Sequence, residues 1–353
     1  MESIDIIEAL IKILIVIFGI LLPCVTYLGV QLERKLSAYI QNRIGPNRVG
    51  PFGLLQPLAD IPKLFMKEDV VPANANKFIH SLGPLISLSI AFSTFAVIPF
   101  GNVLPIVIDG VTHNIKLQIA DVNIGVLYIL ALSSLAVYGI TLSGWSSNNK
   151  YSLLGGIRSS AQMISYELSM GLSIIGVVMV NNTLQLDDIV VAQGGYFFDI
   201  IPKWNVFVQP IGFITFFVAM FAETNRLPFD LPEAEPELVA GYHTEYSGMK
   251  FGMFMLSEYL AMFMAASMIT TLYFGGWQAP YIERFDLSPL FVSLSQLGAF
   301  FTKFALIVVF FMIVRWSMPR FRYDQLMNLG WKVMLPLSLL NIAITGFFIL
   351  YFS

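Results

Sequence analysis

Apolar residues in this chain come in long, nearly unbroken runs separated by short polar segments. A helix crossing the hydrocarbon layer needs about 20 mainly apolar residues. Eight runs approach that length: Ile11 to Leu32, Phe78 to Phe100, Asn123 to Ser143, Ala161 to Asn181, Val206 to Ala222, Phe254 to Phe274, Gln296 to Val314 and Val333 to Phe352. The pattern predicts an all-α polytopic membrane protein with eight transmembrane helices in a single integral membrane domain, 1–353. The seventh run is the least clean. Lys303 interrupts it about two turns from its start, where a long stem can snorkel outward, and Arg315 closes it.

The polar segments differ in kind. The first, from Glu33 to Lys77, opens with ERKLSAYIQNRIGPNRVGPFG, whose Gly-Pro pairs predict a backbone held by turn chemistry. Within it, Phe52 to Met66 places Leu54, Leu55, Leu58, Ile61 and Phe65 at near-helical spacing, with Asp60 and Lys63 off that stripe. This stretch is too short to span, so it reads as an amphipathic interfacial helix kinked at Pro57 and Pro62. Asn102 to Asp121 and Thr183 to Trp204 mix apolar and turn residues and predict short strands or irregular coil without a site. The segment between the third and fourth runs leads into the fourth with Arg158, Ser159, Ser160 and Gln162, and Glu167 follows about two turns inside that run.

Basic residues sort these segments by side. The odd-numbered connections hold fifteen of the twenty Lys and Arg residues, including Arg34, Lys35, Arg43, Arg48, Lys150, Arg158, Arg226, Lys250, Arg315, Arg320 and Arg322. By the positive-inside rule those connections face the cytoplasm and both termini face the periplasmic side. The N-terminus has Glu2, Asp5 and Glu8 but no basic n-region, so the first run reads as a retained helix.

Hydrophobic residues make up 56% of the chain and charged residues only 12%, which sets it apart from soluble domains. A net charge of −3 argues against nucleic acid as a partner. Cys24 is the only cysteine and the three histidines, His80, His113 and His243, are scattered. Iron–sulfur and structural zinc sites need several such ligands at workable spacing. This predicts no metal ligated by this chain, and no glycine-rich phosphate loop appears.

The chemistry concentrates between the fifth and sixth runs. Glu223, Asp230, Glu233, Glu235, Glu237 and Glu245 fall within 23 residues, and Arg226 is the only Lys or Arg among them. Carboxylates near membrane depth are costly and imply function. Withheld from water and close together, Glu167, Glu223 and Glu258 would titrate as a coupled set, as a proton path requires. The plainer alternative is that Glu223 pairs with Arg226 one turn on and seals a helix end. Arg34 and Arg226 each follow an apolar run and have acidic neighbours, Glu33 and Glu223. A charge-paired throat at that level would admit a polar headgroup while an isoprenoid tail stays in lipid.

Three blocks, Glu33 to Asp69, Ala222 to Tyr259 and Arg320 to Asn341, together with the eight runs between and around them, resemble the H-subunit family of respiratory NADH-quinone oxidoreductase, complex I, whose mitochondrial form is NADH dehydrogenase subunit 1. The resemblance covers nearly the whole chain. It implies a non-redox subunit of a proton-translocating NADH:quinone oxidoreductase in a bacterial inner membrane, with quinone, ubiquinone or menaquinone, as substrate. FMN and iron–sulfur clusters would belong to partner subunits. Partners implied are hydrophilic-arm subunits, small membrane subunits and lipid. The chamber would be lined by Glu33, Arg34, Lys35, Arg43, Phe52, Asp60, Lys63, Arg226 and Phe229, with Arg34 at its narrow point. The acidic route would run through Glu167, Glu223, Asp230, Glu233, Glu235, Glu237, Glu245 and Glu258. A similar component of membrane-bound hydrogenases, a self-sufficient transporter and a scaffold without coupling are the competing classes.

Overall fold

A computed structural model describes residues 2–108, 111–231, 238–282 and 288–352. Among these, seven helices are long and apolar enough to cross a membrane: α1 (Glu8–Ile40), α3 (Lys77–Val97), α4 (Gly125–Ser146), α5 (Lys150–Asn181), α9 (Gly248–Tyr273), α10 (Pro289–Ser317) and α11 (Tyr323–Tyr351). Shorter helices are α2 (Gln56–Met66), α6 (Leu186–Ala192), α7 (Asn205–Val208) and α8 (Pro210–Glu223). The all-α expectation holds. The expected fifth span does not hold as one element, because the chain breaks at Gln209 (φ −128°, ψ 58°) and restarts at Pro210. Proline offers no N–H to a preceding turn and pushes the residue before it out of the helical region, so α8 is left at 14 residues.

Two other boundaries move. Helix α1 stays helical through Glu33, Arg34 and Lys35 to Ile40, so these residues sit on a helix rather than in a loop. Helix α5 begins at Lys150, so Arg158 and Gln162 are helical and Glu167 lies near mid-helix instead of two turns in. The Asn102 to Asp121 and Thr183 to Trp204 segments do form strands: β1 (Val103–Ile108) pairs antiparallel with β2 (Val111–Lys116), and β3 (Tyr196–Phe197) with β4 (Ile201–Pro202). The amphipathic helix is present as α2. Its Pro57 sits in the first turn, where the missing N–H costs nothing, so of the two prolines only Pro62 interrupts it.

Helix α9 is the centre of the fold. From Met262 to Tyr273 every residue is buried, and the sequence there, MFMAASMITTLY, mixes bulky side chains with Ala, Ser and Thr. In lipid, apolar burial alone gives no drive to associate, so close approach and interhelical hydrogen bonds carry the packing. The α3–α4 contact shows how. Gly83 and Ser87 on one helix face Gly139 and Ser143 on the other, and a Cβ added at Gly139 would lie 2.2 Å from the Ser87 hydroxyl. Gly155 of α5 allows a second close approach, since a Cβ there would come within 2.8 Å of the Gly241 backbone. That contact seats the segment leading into α9 against α5.

Candidate functional site

The N-terminal half of α9 faces a buried charge cluster assembled from four parts of the chain. Arg226, on the turn after α8, is 2% exposed. Its Nε donates to Glu258 of α9 at 2.8 Å, its Nη1 donates to Glu33 of α1 at 3.2 Å, and its guanidinium lies 4.5 Å from the Tyr259 ring centre. Glu33 also accepts from Arg315 at the end of α10. Glu33 and Arg34 are consecutive on a helix, hence about 100° apart around its axis. Glu33 therefore points into the cluster, while Arg34 points outward and pairs with Asp60 of α2 at 2.6 Å. Both surface partners are substantially exposed, and pairs of that kind contribute about 0–1 kcal/mol.

Burial by itself would favour the neutral form of Arg226, but the carboxylates of Glu258 and Glu33 reverse this and hold the guanidinium more firmly protonated than usual. Asp230, four residues on, pairs with Arg320 at 2.7 Å. Burial pushes its carboxyl up to about 6, with Arg320 pulling it down and Glu258 pushing it further up. Asp60 keeps a carboxyl below its usual range: partial burial opposes this, and the hydrogen bonds from Arg34 and Gln56 prevail.

One side chain holds the turn that presents Arg226. The Gln162 amide of α5 donates to the carbonyls of Ala222 at 2.9 Å and Phe229 at 2.8 Å, bracketing residues 223–228. Phe229 is buried edge-on to Tyr166, their ring centres 5.6 Å apart. Two buried rings, His80 of α3 and Tyr246, stack at 4.0 Å and fix the far end of the same connection. Neighbouring His243 is also buried, which lowers its pKa to about 4 and keeps the imidazole neutral.

Beyond the ion cluster lies a cavity of about 80 Å³. It is lined by Glu223 and Glu258 together with Ser87, Thr94, Ser133, Thr224, Asn225 and Ser257, and by apolar groups from α3, α4 and α9. About 10–15 Å³ suffices for one water, and the carboxyl, hydroxyl and amide groups on this mostly apolar wall are the partners a water there would have. Glu258 belongs to both the cluster and the cavity wall. Glu223 is 6% exposed and does not pair with Arg226; its Oε2 has no hydrogen-bonding partner among the described residues. Glu167, which accepts from Ser134, is close enough to Glu223 for the two carboxylates to interact. The alternative of a sealed Glu223–Arg226 helix end is therefore not what forms.

The remaining expected residues separate. Arg43, Phe52 and Lys63 are exposed and Lys35 half-buried, all outside the buried cluster. Phe52, 80% exposed, precedes α2 in a left-handed conformation (φ 53°). Glu245 accepts from Asn149 at 2.6 Å, on the surface side of the α4–α5 turn. Glu233, Glu235 and Glu237 lie outside the described residues. Gln162, Arg315 and Arg320 were not among the expected site residues, although Gln162 was legible as an amide on an apolar run and the two arginines as charges beside one.

This arrangement sits in a chain whose relatives are recognisable. A family model described as NADH dehydrogenase matches residues 11–346. The first-numbered NADH-quinone oxidoreductase H subunit of Cytophaga hutchinsonii is 54% identical over 320 residues, 91% of each chain. The NADH-quinone oxidoreductase subunit 8 of Rhodothermus marinus is 51% identical over 330 residues, 92% of each. The first-numbered H subunit of Geobacter metallireducens is 49% identical over 348 residues, covering 99% of this chain and 98% of that one. Matched end to end at about half identity, the chain belongs to the NADH dehydrogenase family, among the H subunits of NADH-quinone oxidoreductase.

Proposed function

We propose that this chain forms the quinone-access chamber of a proton-translocating NADH:quinone oxidoreductase and couples quinone reduction to proton movement through its buried carboxylates. The supporting observation is the continuity from Glu33 through Arg226 to Glu258 and on to the cavity wall that carries Glu223. Quinone enters sideways from the bilayer past Arg34, Phe52 and α2. Its head reaches a redox centre in a neighbouring hydrophilic-arm subunit, where FMN and iron–sulfur clusters carry the electrons. This chain contributes no redox group of its own; it guides the substrate and answers the reaction electrostatically.

Negative charge or proton demand created at the quinone head shifts the balance among Glu33, Arg226 and Glu258. Arg226 shares one guanidinium between two carboxylates, so a weakened hold on Glu258 raises the proton affinity of the cavity wall. Water in the cavity would relay that proton between Glu258 and Glu223, and Glu167 with Ser134 would pass it to small membrane subunits beside α4 and α5. Asp230, Glu233, Glu235, Glu237 and Glu245 belong to the same acidic segment and would feed or buffer the route. The basic connections face the cytoplasm of a bacterial cell, with both termini on the periplasmic side of the inner membrane.

Replacing Glu223 by Gln in the intact complex tests this, because the amide is nearly isosteric. The expected result is normal assembly with fewer protons moved per NADH oxidised. Unchanged quinone reduction together with unchanged pumping overturns the role. Impaired assembly with full turnover in the complexes that do form points to a scaffold instead.

A further inference from the structure

At the other end of α9 a second inward-facing charge has no part in this route. Lys303 is the midpoint of the 29-residue α10, about four turns from either end, so the expectation that its stem snorkels from a helix start does not hold. Its ammonium turns inward and meets three main-chain oxygens, Phe274 O at 2.8 Å, Gly276 O at 3.0 Å and Gln278 O at 2.7 Å. The Trp204 ring centre lies 4.7 Å away. A neutral amine has two N–H bonds, so three acceptors around one nitrogen are satisfied together only by the ammonium form. These partners are all neutral: three carbonyls and an indole face.

We infer that the turn ending α9 is a backbone-carbonyl cation cage, and that Lys303 is a tethered cation plugging it, closing this end of the helix core to protons and small monovalent cations. Carbonyl oxygens converging on one point replace the hydration shell of a cation, and a helix C-terminus adds partial negative charge. The cage is built rigidly. Gly275 (φ 68°) and Gly276 (φ 49°) fold the chain back so that its carbonyls converge, and a Cβ on either would strike Trp204 at 2.7 Å or Val190 at 2.5 Å. Gln193 braces it from outside, accepting from Gly275 N at 3.0 Å and donating to Thr271 O at 2.9 Å. Asn205 donates to Leu272 O at 2.8 Å. Emptied of its lysine, such a cage would attract a free cation at the end of a helix that is wholly buried there. A lysine in mid-span is costly unless it has work to do.

The test uses the assembled complex carrying Lys303→Ala, with Lys303→Arg as the charge-retaining control. In detergent, millimolar methylammonium chloride is expected to raise the thermal midpoint of Lys303→Ala but not of the parent, while tetramethylammonium, too large for the cage, does nothing. In proteoliposomes without NADH and without added amine, proton uptake under an imposed membrane potential is expected to be several-fold faster for Lys303→Ala than for the parent or Lys303→Arg. Leak is read without turnover, so its outcome is separate from the coupling role of the carboxylates. Equal stabilisation by both amines, or Lys303→Ala vesicles as tight as the parent's, overturns the inference. Where Lys303→Ala fails to assemble, assembly restored by methylammonium during growth supports it, and no restoration overturns it.

Discussion

The two ends of α9 solve the same problem in opposite ways. Near its start the core admits formal charge of both signs: Glu33, Arg226, Glu258, Arg315 and, just outside, Asp230 with Arg320. Several of those groups keep a polar atom without a hydrogen-bonding partner among the described residues, namely Arg226 Nη2, Asp230 Oδ1 and Arg320 Nε, and Glu223 Oε2 joins them beside the cavity. Past Tyr273, Lys303 spends its three N–H bonds on carbonyls of the turn, and the Asp187 carboxylate accepts from Trp277 Nε1 of the same turn at 3.2 Å. Gln193 likewise uses both N–H bonds and an oxygen shared between two amides. The buried hydroxyls of Ser267 and Tyr273 are the exceptions at that end. In the proposed function, incomplete satisfaction beside water-sized space is what would let a proton change place. Complete satisfaction among backbone carbonyls fixes the charge where it is.

The largest expected effect on this contrast comes from Arg226→Leu, which removes the cation paired with Glu258 and leaves Glu33 with Arg315 alone. Breaking a buried pair in this way costs about 3–5 kcal/mol, so little complex should assemble, and any that does should have a strongly lowered thermal midpoint. Gly155→Leu comes next. The side chain would collide with the Gly241 backbone, and overpacking of this kind costs about 1–3 kcal/mol. Since that contact seats the connection into α9, quinone reduction should fall together with stability.

A pH series sharpens the comparison. His243 is held neutral, its pKa lowered from 6.5 to about 4 by burial, so between those values the unfolded chain binds the proton that the folded chain refuses. Stability is therefore expected to fall as pH drops from about 6.5 towards about 4, by on the order of 1–3 kcal/mol. In a His243→Gln complex the acid side of the thermal-midpoint curve should be flatter. Asp230 has the opposite sign: its raised pKa makes a contribution present at low pH and lost as pH rises through about 6. The smallest effect is expected from Asp60→Asn. It removes the half-buried partner of an exposed Arg34, worth about 0–1 kcal/mol, so stability should hardly change, and a shift in KM for quinone would then support the proposed entrance past Arg34.

Much of the candidate site was legible because charge in an oily chain stands out. Glu33, Glu223, Arg226 and Glu258 each interrupt or border an apolar run; Glu33, Arg226 and Glu258 meet in the ion cluster, and Glu258 and Glu223 line the cavity. Their pairing was not legible. Arg226 looked like the sole base for the acidic segment, whereas Arg315 reaches Glu33 from 282 residues away and Arg320 reaches Asp230 from 90. Helix phase separated Glu33 from Arg34, which adjacency in the chain had joined. The break at Gln209 was signalled by Pro210, but apolarity on both sides masked it.

What the sequence by itself determined is the membrane class, the approximate helical spans and the family, since hydrocarbon thickness demands long apolar runs whatever their neighbours. It also marked the acidic segment, because ionisable groups at membrane depth are rare. Only the tertiary structure decided which carboxylate shares which guanidinium, that Glu223 is left beside a cavity, and that Lys303 turns into a carbonyl cage instead of out to the interface. Those outcomes depend on helix rotation and on backbone atoms arriving from distant segments, and neither is written in the spacing of any one stretch.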